Sequence, residues 1–438
     1  MPTSTRRRAL GYGVAEVGAS LSYNTVNFFL LFFLVQAGLR PGLAGAVLLI
    51  GRVLDALVDP LMGNLSDKIK ARYGRRSPII FWGALPFGAT FALLWLIPNL
   101  AFGAQGTFWL AVGALIVHAC VFTFVQTSYL AMTPELAPEY EARTVLSGYR
   151  VVFATAASLL AAAAPPLLAA QVNTWAGLRA NSSLGWGVMG MLFGLVMSAS
   201  YLVMVATVAE PKRPAATPLS NFWAETKATL QARGYPALLL LFSVITLGMG
   251  TLSAMLPFFL LSRLALSPVT QTGLLALLFI VAAASVPLWT WFSKRLGKKR
   301  AFAVGLALLA VGLPLLVAFS PPGALSLILV SSTLLVGAGV GSVLLFPWAL
   351  LPDVIEQDAQ NQETRRDGLF YALFTLCQTA AFALAAALSG GVLELTGYRA
   401  GAAVQSAGAI AGVQGLVGGV AAGFFLLALV PLARYPFR

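Results

Sequence analysis

Charged residues are scarce in this chain. Only 10% of its 438 residues are charged, whereas about a quarter are charged in ordinary soluble proteins. Hydrophobic residues make up 59% of the chain, and the mean hydropathy is +0.85. These values exclude a soluble globular protein and a disordered chain. They indicate an integral membrane protein that crosses the bilayer several times.

Cysteine and histidine are equally rare. The two cysteines, Cys120 and Cys377, lie inside apolar runs, which excludes a disulfide-stabilised secreted fold. The single histidine, His118, excludes a metal centre that needs two. The sequence also lacks a phosphate-binding glycine loop followed by Lys and Ser or Thr. We therefore expect no enzyme activity, no cofactor and no pumping driven by ATP.

The apolar residues fall into runs that are long enough for membrane helices. A helix needs about 20 apolar residues to cross the hydrocarbon core, and the runs lack the alternation of membrane β-strands. Twelve spans are predicted, at residues 11–38, 42–65, 78–98, 107–133, 145–169, 185–208, 236–262, 269–292, 301–319, 324–351, 367–391 and 408–433. The predicted fold class is an all-α membrane protein with twelve transmembrane helices.

The net charge of +13 comes from 28 Lys and Arg against 15 Asp and Glu. Only four basic residues face the opposite side if the N-terminus is cytoplasmic: Arg40, Arg179, Arg263 and Arg399. The positive-inside rule therefore predicts that both termini are cytoplasmic, in the plasma (inner) membrane. The basic excess reflects topology and attraction to anionic inner-leaflet lipid, not nucleic-acid binding.

The longest polar segment divides the chain into two sets of six spans. We predict an N-terminal half at 1–209, a cytoplasmic linker at 210–235 and a C-terminal half at 236–438. Basic loops follow the second and eighth spans, and the pairs Pro134-Glu135 and Pro352-Asp353 follow the fourth and tenth. Both echoes recur at an offset of about 220 residues, which predicts two pseudo-symmetric six-helix halves.

Three acidic residues lie within predicted spans: Glu16, Asp55 and Asp59. A charge in the hydrocarbon costs about 2.5–3.5 kcal/mol, so such residues face a cavity or a partner. Asp55 and Asp59 share one helix face, with Arg52 one turn earlier. Paired carboxylates must bind a cation, share a proton or pair with arginine. The alternative to an ion site is a structural pair between Arg52 and a carboxylate.

Polar side chains follow Glu16 along the first span, at Ser20, Asn24 and Asn27. This spacing predicts a stripe that lines a watery cleft. The alternative is that Glu16 reaches cytoplasmic water or Arg150. The fourth span carries a similar group of polar side chains, for which helix–helix hydrogen bonding is the alternative function: His118, Thr123, Gln126, Thr127 and Ser128.

Four motifs together resemble the glycoside-pentoside-hexuronide:cation symporter family of the major facilitator superfamily, the branch that includes the melibiose carrier. They are YGVAE at 12–16, GRVLDALVDPLMG at 51–63 with GRR at 74–76, PELAPEYEART at 134–144, and PDVIE at 352–356 with RRDGLFY at 365–371. The resemblance covers nearly the whole chain. It implies the major facilitator fold and transport without enzyme chemistry.

The resemblance also implies roles for individual residues. The family's cation-binding positions correspond to Asp55, Asp59 and Thr123, which implies that the two aspartates form a Na⁺ site. A span-five arginine that faces substrate corresponds to Arg150. We further expect substrate to contact Glu16, Ser20, Asn24, Gln126, Arg150, Gln378 and Thr379. The implied cytoplasmic gating network comprises Arg52, Asp67, Arg75, Arg143, Asp353, Glu356 and Arg365.

The chain departs from the melibiose carrier at several of these positions. Val58 replaces an asparagine next to the second cation aspartate, which removes an oxygen ligand and favours protons over sodium. Ser20 and Gln126 replace the acids that grip the sugar. Leu130 replaces a tryptophan, and Thr379 replaces a span-eleven lysine that many relatives share. The galactoside site of that carrier is therefore not reproduced.

From these observations we predict a monomeric secondary active symporter. It would couple uptake of a small polar organic solute, a sugar or glycoside, to Na⁺ or H⁺ by alternating access. One alternative is a lysolipid or amphiphile transporter of the same fold. Another is a membrane receptor that transports nothing, in which the buried acids would be relics.

Overall fold

The computed structural model describes residues 3–55, 76–100, 102–137, 140–178, 182–210, 222–323, 325–361, 367–402 and 404–436. These residues are almost entirely helical, and no β-strand occurs among them. They form two compact units, Met1–Thr217 and Pro218–Arg438. The all-α fold class predicted from the sequence is confirmed.

Eleven helices in the described residues are long and apolar enough to cross a membrane. In the N-terminal unit they are α1 (Arg8–Gln36), α3 (Ser77–Leu96), α4 (Gly103–Ala131), α5 (Val145–Trp175) and α6 (Ser183–Thr207). Helix α2 is described over residues 41–55. In the C-terminal unit they are α7 (Tyr235–Arg263), α8 (Pro268–Leu296), α9 (Lys298–Phe319), α10 (Leu327–Asp358), α11 (Gly368–Leu395) and α12 (Ala407–Arg434).

Two helices, α5 and α10, run furthest beyond the ends predicted from hydropathy. The helix of α5 ends at Trp175, past the predicted end at 169, and passes through Pro165 and Pro166. The helix of α10 continues to Asn361, past the predicted end at 351. Hydropathy detects where the hydrocarbon ends, whereas a helix continues as long as its backbone groups find partners. Asp353 and Glu356 therefore lie on a helix and not in the predicted loop.

The predicted basic loop between the eighth and ninth spans is almost absent. Gly297 alone separates α8 from α9, and its φ of +84° is one that glycine adopts without strain. Lys294 and Arg295 fall in the last turn of α8, where positive charge interacts favourably with the helix dipole. The loop shortens because its charged residues extend the two helices.

The first helix of each unit is the most enclosed. In both α1 and α7, 72% of the most apolar segment is buried, against 28% in α5. Each contains a π-helical segment, Val26–Leu30 in α1 and Phe259–Arg263 in α7. Such segments rotate the side chains that follow them and are frequent at functional sites. In α1 the segment contains Asn27, which contributes to the site described below.

Glycine allows the closest helix contact in the N-terminal unit. A Cβ atom added to Gly88 of α3 would lie on the carbonyl oxygen of Gly194 of α6, and one added to Gly194 would meet Gly88. Small residues of this kind let membrane helices pack backbone against backbone. Helix α3 is therefore held tightly against α6.

The same two helices are joined at their ends by Glu210, which follows α6. Its carboxylate accepts hydrogen bonds from the backbone N–H groups of Arg76 and Ser77, both at 2.7 Å, and from the Ser77 hydroxyl at 2.6 Å. Glu210 is only 6% exposed. The first N–H groups of a helix lack partners within the helix, and a negative charge there is favourable. Glu210 thus caps α3 from another part of the chain.

Candidate functional site

Two tyrosines fix α1 against α4 and set the frame of the site. The Tyr12 hydroxyl donates to the Tyr129 carbonyl oxygen at 2.8 Å, and the Tyr129 hydroxyl donates to the Tyr12 carbonyl at 3.0 Å. Their rings stack with centroids 4.5 Å apart. The Tyr12 hydroxyl also shares a hydrogen bond with Thr133 at 2.6 Å. This reciprocal pair holds the polar stripe of α1 opposite that of α4.

Asp55 of α2 lies buried between α2 and α4. It is 8% exposed, and its Oδ1 atom accepts from the Thr123 hydroxyl at 3.4 Å. Its other oxygen lies 3.6 Å from the Arg52 guanidinium. Both distances are long for direct contacts, since O–H···O bonds are usually about 2.5–3.0 Å. The structure therefore brings together two of the three predicted cation ligands, with Arg52 beside them.

Arg52 makes further contacts that orient it toward this site. Its Nη2 atom donates to the Asn27 side-chain oxygen at 3.1 Å, and its guanidinium lies 5.4 Å from the centre of the Tyr23 ring. Asn27 belongs to the π-helical segment of α1. Arg52 was predicted to belong to the gating network. Among the described residues, it contacts Asn27 and Tyr23 of α1 and Asp55 of the candidate cation site.

A small cavity with both polar and apolar lining adjoins Asp55. Its volume is about 20 Å³, enough for one water molecule or ion, and its lining includes Ser22, Arg52, Asp55 and His118. His118 uses both ring nitrogens: Nε2 shares a hydrogen bond with Ser22 at 2.8 Å, and Nδ1 shares one with Thr90 at 3.0 Å. The imidazole also stacks on another α3 side chain, Phe87. His118 is thereby fixed as part of the cavity wall.

Glu16 and Arg150 form a partly buried ion pair in the N-terminal unit. The Arg150 Nε atom donates to Glu16 Oε2 at 2.9 Å, and the side chains are 24% and 13% exposed. The Arg150 guanidinium also lies 5.4 Å from the centre of the Tyr129 ring. The alternative in which Glu16 reaches Arg150 is thus the arrangement present in this conformation.

The other predicted substrate residues of this unit also have partners. Asn24 donates from Nδ2 to the Ser20 carbonyl at 2.8 Å and to the Ser158 hydroxyl at 3.0 Å. Gln126 accepts from the Tyr201 hydroxyl at 2.5 Å. Ser20 is buried, whereas Asn24 and Gln126 are half-buried. These contacts tie α1 to α5 and α4 to α6, and they leave amide groups within reach of a ligand.

The described residues include four predicted site positions of the C-terminal unit. Gln378 and Thr379 are half-buried on α11, and Glu356 is exposed near the end of α10. Asp353 pairs with Lys298 of α9, whose Nζ lies 2.7 Å from both carboxylate oxygens. Burial and the charge of Asp353 raise the pKa of Tyr435, whose hydroxyl donates to the Leu350 carbonyl.

Several predicted positions lie outside the described residues. They are Asp59 of the cation site, Asp67, Arg75 and Arg365 of the gating network, and the side chain of Arg143. Among the residues that are described, no group of three or more His, Cys, Asp and Glu side chains could hold a metal ion.

Sequence reasoning assigned no site function to several residues that complete the site. Tyr23 lies beside Arg52, Ser22 and Thr90 orient His118, and Tyr201 holds Gln126. Hydroxyl side chains are common on membrane helices, so their type gave no signal.

The fold and the buried charges define a multi-pass membrane transporter. The chain matches the family described as MFS/sugar transport protein over residues 11–438, and it belongs to this family. The predicted resemblance to cation symporters of the major facilitator superfamily is confirmed by this match and by relatives that carry symporter names. The family consists of transporters and not of enzymes.

Three relatives illustrate the range of the family. The symporter sll1374 of Synechocystis sp. is 26% identical, over 89% of this chain and 85% of its own length. The isoprimeverose transporter of Lactiplantibacillus pentosus is 24% identical, over 92% and 83%. The sodium-dependent lysophosphatidylcholine symporter 1-A of Danio rerio is 24% identical, over 98% and 87%.

Solved structures support the same fold. An inward-facing, occupied bacterial homologue of the lysosomal transporter Spinster superposes with a TM-score of 0.71 at 14% sequence identity, covering 98% of this chain and 96% of that one. The protein is therefore a symporter-type member of the major facilitator superfamily, integral to the membrane.

Proposed function

We propose that this symporter couples uptake of a small polar organic solute, a sugar or glycoside, to a monovalent cation bound at Asp55, Asp59 and Thr123. The observation that carries the proposal is the buried Asp55 carboxylate, which faces the Thr123 hydroxyl beside a small cavity. Buried charges in membrane helices are costly and usually belong to an ion or substrate pathway.

The spacing of the two oxygens supports this assignment. Hard cations with oxygen ligands have metal–oxygen distances of about 2.4 Å, so two ligands at a right angle lie about 3.4 Å apart. Asp55 Oδ1 and Thr123 Oγ1 lie 3.4 Å apart. This separation is long for a hydrogen bond but fits two ligands of one cation.

The formal charges support a single coupling ion. Arg52 carries one positive charge, and Asp55 and Asp59 would carry two negative charges. One Na⁺ or one proton makes the group neutral, which a low-dielectric environment favours. Val58 reduces the oxygen ligands near Asp59, which favours a proton over sodium.

The polar residues of α1, α4 and α5 support a hydroxyl-rich substrate. The Glu16–Arg150 pair offers both charged donors and acceptors, and Asn24 and Gln126 add amide groups. Sugars bind through such polar groups. The similarity to the isoprimeverose transporter points to the same substrate class.

A lysolipid or other amphiphile is the second candidate. The similarity to the sodium-dependent lysophosphatidylcholine symporter covers 98% of this chain, and the sugar-gripping acids of the melibiose carrier are replaced here by Ser20 and Gln126. We also propose that both termini lie on the cytoplasmic side of the inner membrane, that transport follows alternating access and that the protein acts as a monomer.

Uptake into proteoliposomes tests this function. Labelled glycosides and lysolipids are supplied separately under a sodium gradient or a pH gradient. We expect accumulation of a glycoside under one gradient, and its loss in Asp55→Asn. The control is Glu394→Gln, which removes an acid at the end of α11 and should retain uptake.

The two outcomes that contradict the proposal are distinct. Accumulation of a lysolipid without accumulation of a glycoside would mean that the substrate is an amphiphile and not a sugar. Gradient-driven uptake that is unchanged in Asp55→Asn would exclude the cation site.

A further inference from the structure

A second cavity lies in the described residues, apart from the proposed cation site. It has a volume of about 740 Å³ and lies within the C-terminal unit, where the end of α8, the start of α9 and the end of α12 meet. Its residues are Arg295, Leu296, Gly297, Lys299, Arg300, Ala303, Leu429, Leu432 and Ala433. A volume in the range of about 300–1,000 Å³ is typical of small-molecule sites.

The lining separates into a basic rim and an apolar floor. Arg295, Lys299 and Arg300 supply three positive charges, and the lining contains no acidic residue. Leu429, Leu432 and Ala303 supply apolar surface one turn further into the helices. A ligand that matches this cavity has an anionic end and an apolar end.

The three basic side chains are not equivalent. Lys299 donates to the carbonyl oxygens of Ala433 and Tyr435 at 2.6 and 2.9 Å, so it holds the end of α12 in place. Arg295 and Arg300 are both exposed at the rim. Their guanidinium groups can present paired N–H donors to phosphate oxygens.

Trp291 indicates where this rim lies relative to the membrane. Its indole is 45% exposed, and the Arg295 guanidinium lies 4.1 Å from the centre of its ring. Tryptophan and arginine are enriched where membrane helices meet the headgroup region. The rim is therefore at headgroup depth and the floor at acyl-chain depth.

We infer that this cavity binds an anionic phospholipid, with the phosphate between Arg295 and Arg300 and the glycerol and acyl ends against Ala303 and Leu429. Basic pockets between membrane helices are suited to such headgroups. The lipid would brace the junction of α8, α9 and α12. This inference does not depend on the cation site or on the transported substrate.

Native mass spectrometry and thermal unfolding of the full-length protein in detergent test the inference. The probes are phosphatidylglycerol, phosphatidylcholine, and inorganic phosphate as the soluble source of the same charge. We expect phosphatidylglycerol to be retained and to raise the unfolding temperature, and the other two to have little effect.

Two variants and a matched control locate the site. The double variant Arg295→Gln with Arg300→Gln should weaken phosphatidylglycerol binding about tenfold, because each basic residue near the membrane surface contributes to the attraction of anionic lipid. Ala303→Phe fills the apolar floor without changing the charge of the cavity. It should weaken phosphatidylglycerol binding and leave the response to inorganic phosphate unchanged. Lys294→Gln with Arg233→Gln removes two exposed charges outside the cavity and should bind lipid normally.

Equal lipid binding by all variants would overturn the inference. So would full stabilisation by inorganic phosphate with no effect of Ala303→Phe, because the site would then bind a soluble anion. Size-exclusion profiles and lipid-free unfolding temperatures identify any variant that fails to fold, and the remaining variant still tests the site.

Discussion

The N-terminal unit carries Glu16, Asp55 and Arg150 along the lengths of its membrane helices, whereas every Asp, Glu, Lys and Arg of α7–α12 lies within the first turn or the last two turns. Both units enclose their first helix to the same degree and interrupt it with a π-helical segment. The two units thus share the burial of their first helix and its π-helical segment, but they differ in where their charged side chains lie. This asymmetry fits the proposal that the cation site lies in the N-terminal unit.

The largest expected effect concerns the partly buried ion pair of Glu16 and Arg150 in the N-terminal unit. Arg150→Gln leaves the Glu16 carboxylate without its partner and should cost about 3 kcal/mol of unfolding free energy. The double variant Glu16→Gln with Arg150→Gln should recover much of this loss, because no uncompensated charge remains. Unfolding in detergent measures both. A double variant that is no more stable than the single one would contradict the pairing.

The second prediction concerns Thr123, the proposed cation ligand on α4. Thr123→Val keeps the shape of the side chain and removes its oxygen, so the apparent cation affinity should fall about tenfold, the equivalent of one lost ligand contact. The ion concentration that gives half-maximal uptake measures it. Thr251→Val makes the same change in α7, where the hydroxyl donates to the Leu247 carbonyl, and should leave that concentration unchanged.

A smaller effect is expected at the tyrosine pair. Tyr12→Phe loses the hydrogen bond to the Tyr129 carbonyl and should cost about 1 kcal/mol or slightly more, because Thr133 loses a partner as well. Tyr435→Phe in the C-terminal unit removes a single hydrogen bond to Leu350 and should cost less. Equal costs in thermal unfolding would mean that the bond to Thr133 adds nothing.

The smallest effect is expected for the ion pair of the C-terminal unit. The Lys298 and Asp353 side chains are 36% and 31% exposed, so water screens them. Lys298→Gln should cost about 1 kcal/mol or less. The cost should fall further at high salt, unlike that of Arg150→Gln. A cost as large as that of Arg150→Gln would remove the distinction between the two units.

The sequence predicted the local parts of this arrangement well. The spans follow from runs of apolar residues, and the Arg52–Asp55 contact follows from a spacing of three on one helix. Contacts between distant positions were harder to predict. Arg150 was only one of two partners considered for Glu16, and the pairing of Gln126 with Tyr201 was not considered. Helix ends such as that of α10 escaped prediction because they depend on solvent and neighbours, not on hydropathy.

The contact made by Glu210 has a mechanical consequence. Three donors at the start of α3 hold this carboxylate where the chain leaves α6. Helices α3 and α6 are therefore connected at this end, and a displacement of one would be transmitted to the other through Glu210. Glu210→Ala should remove this connection.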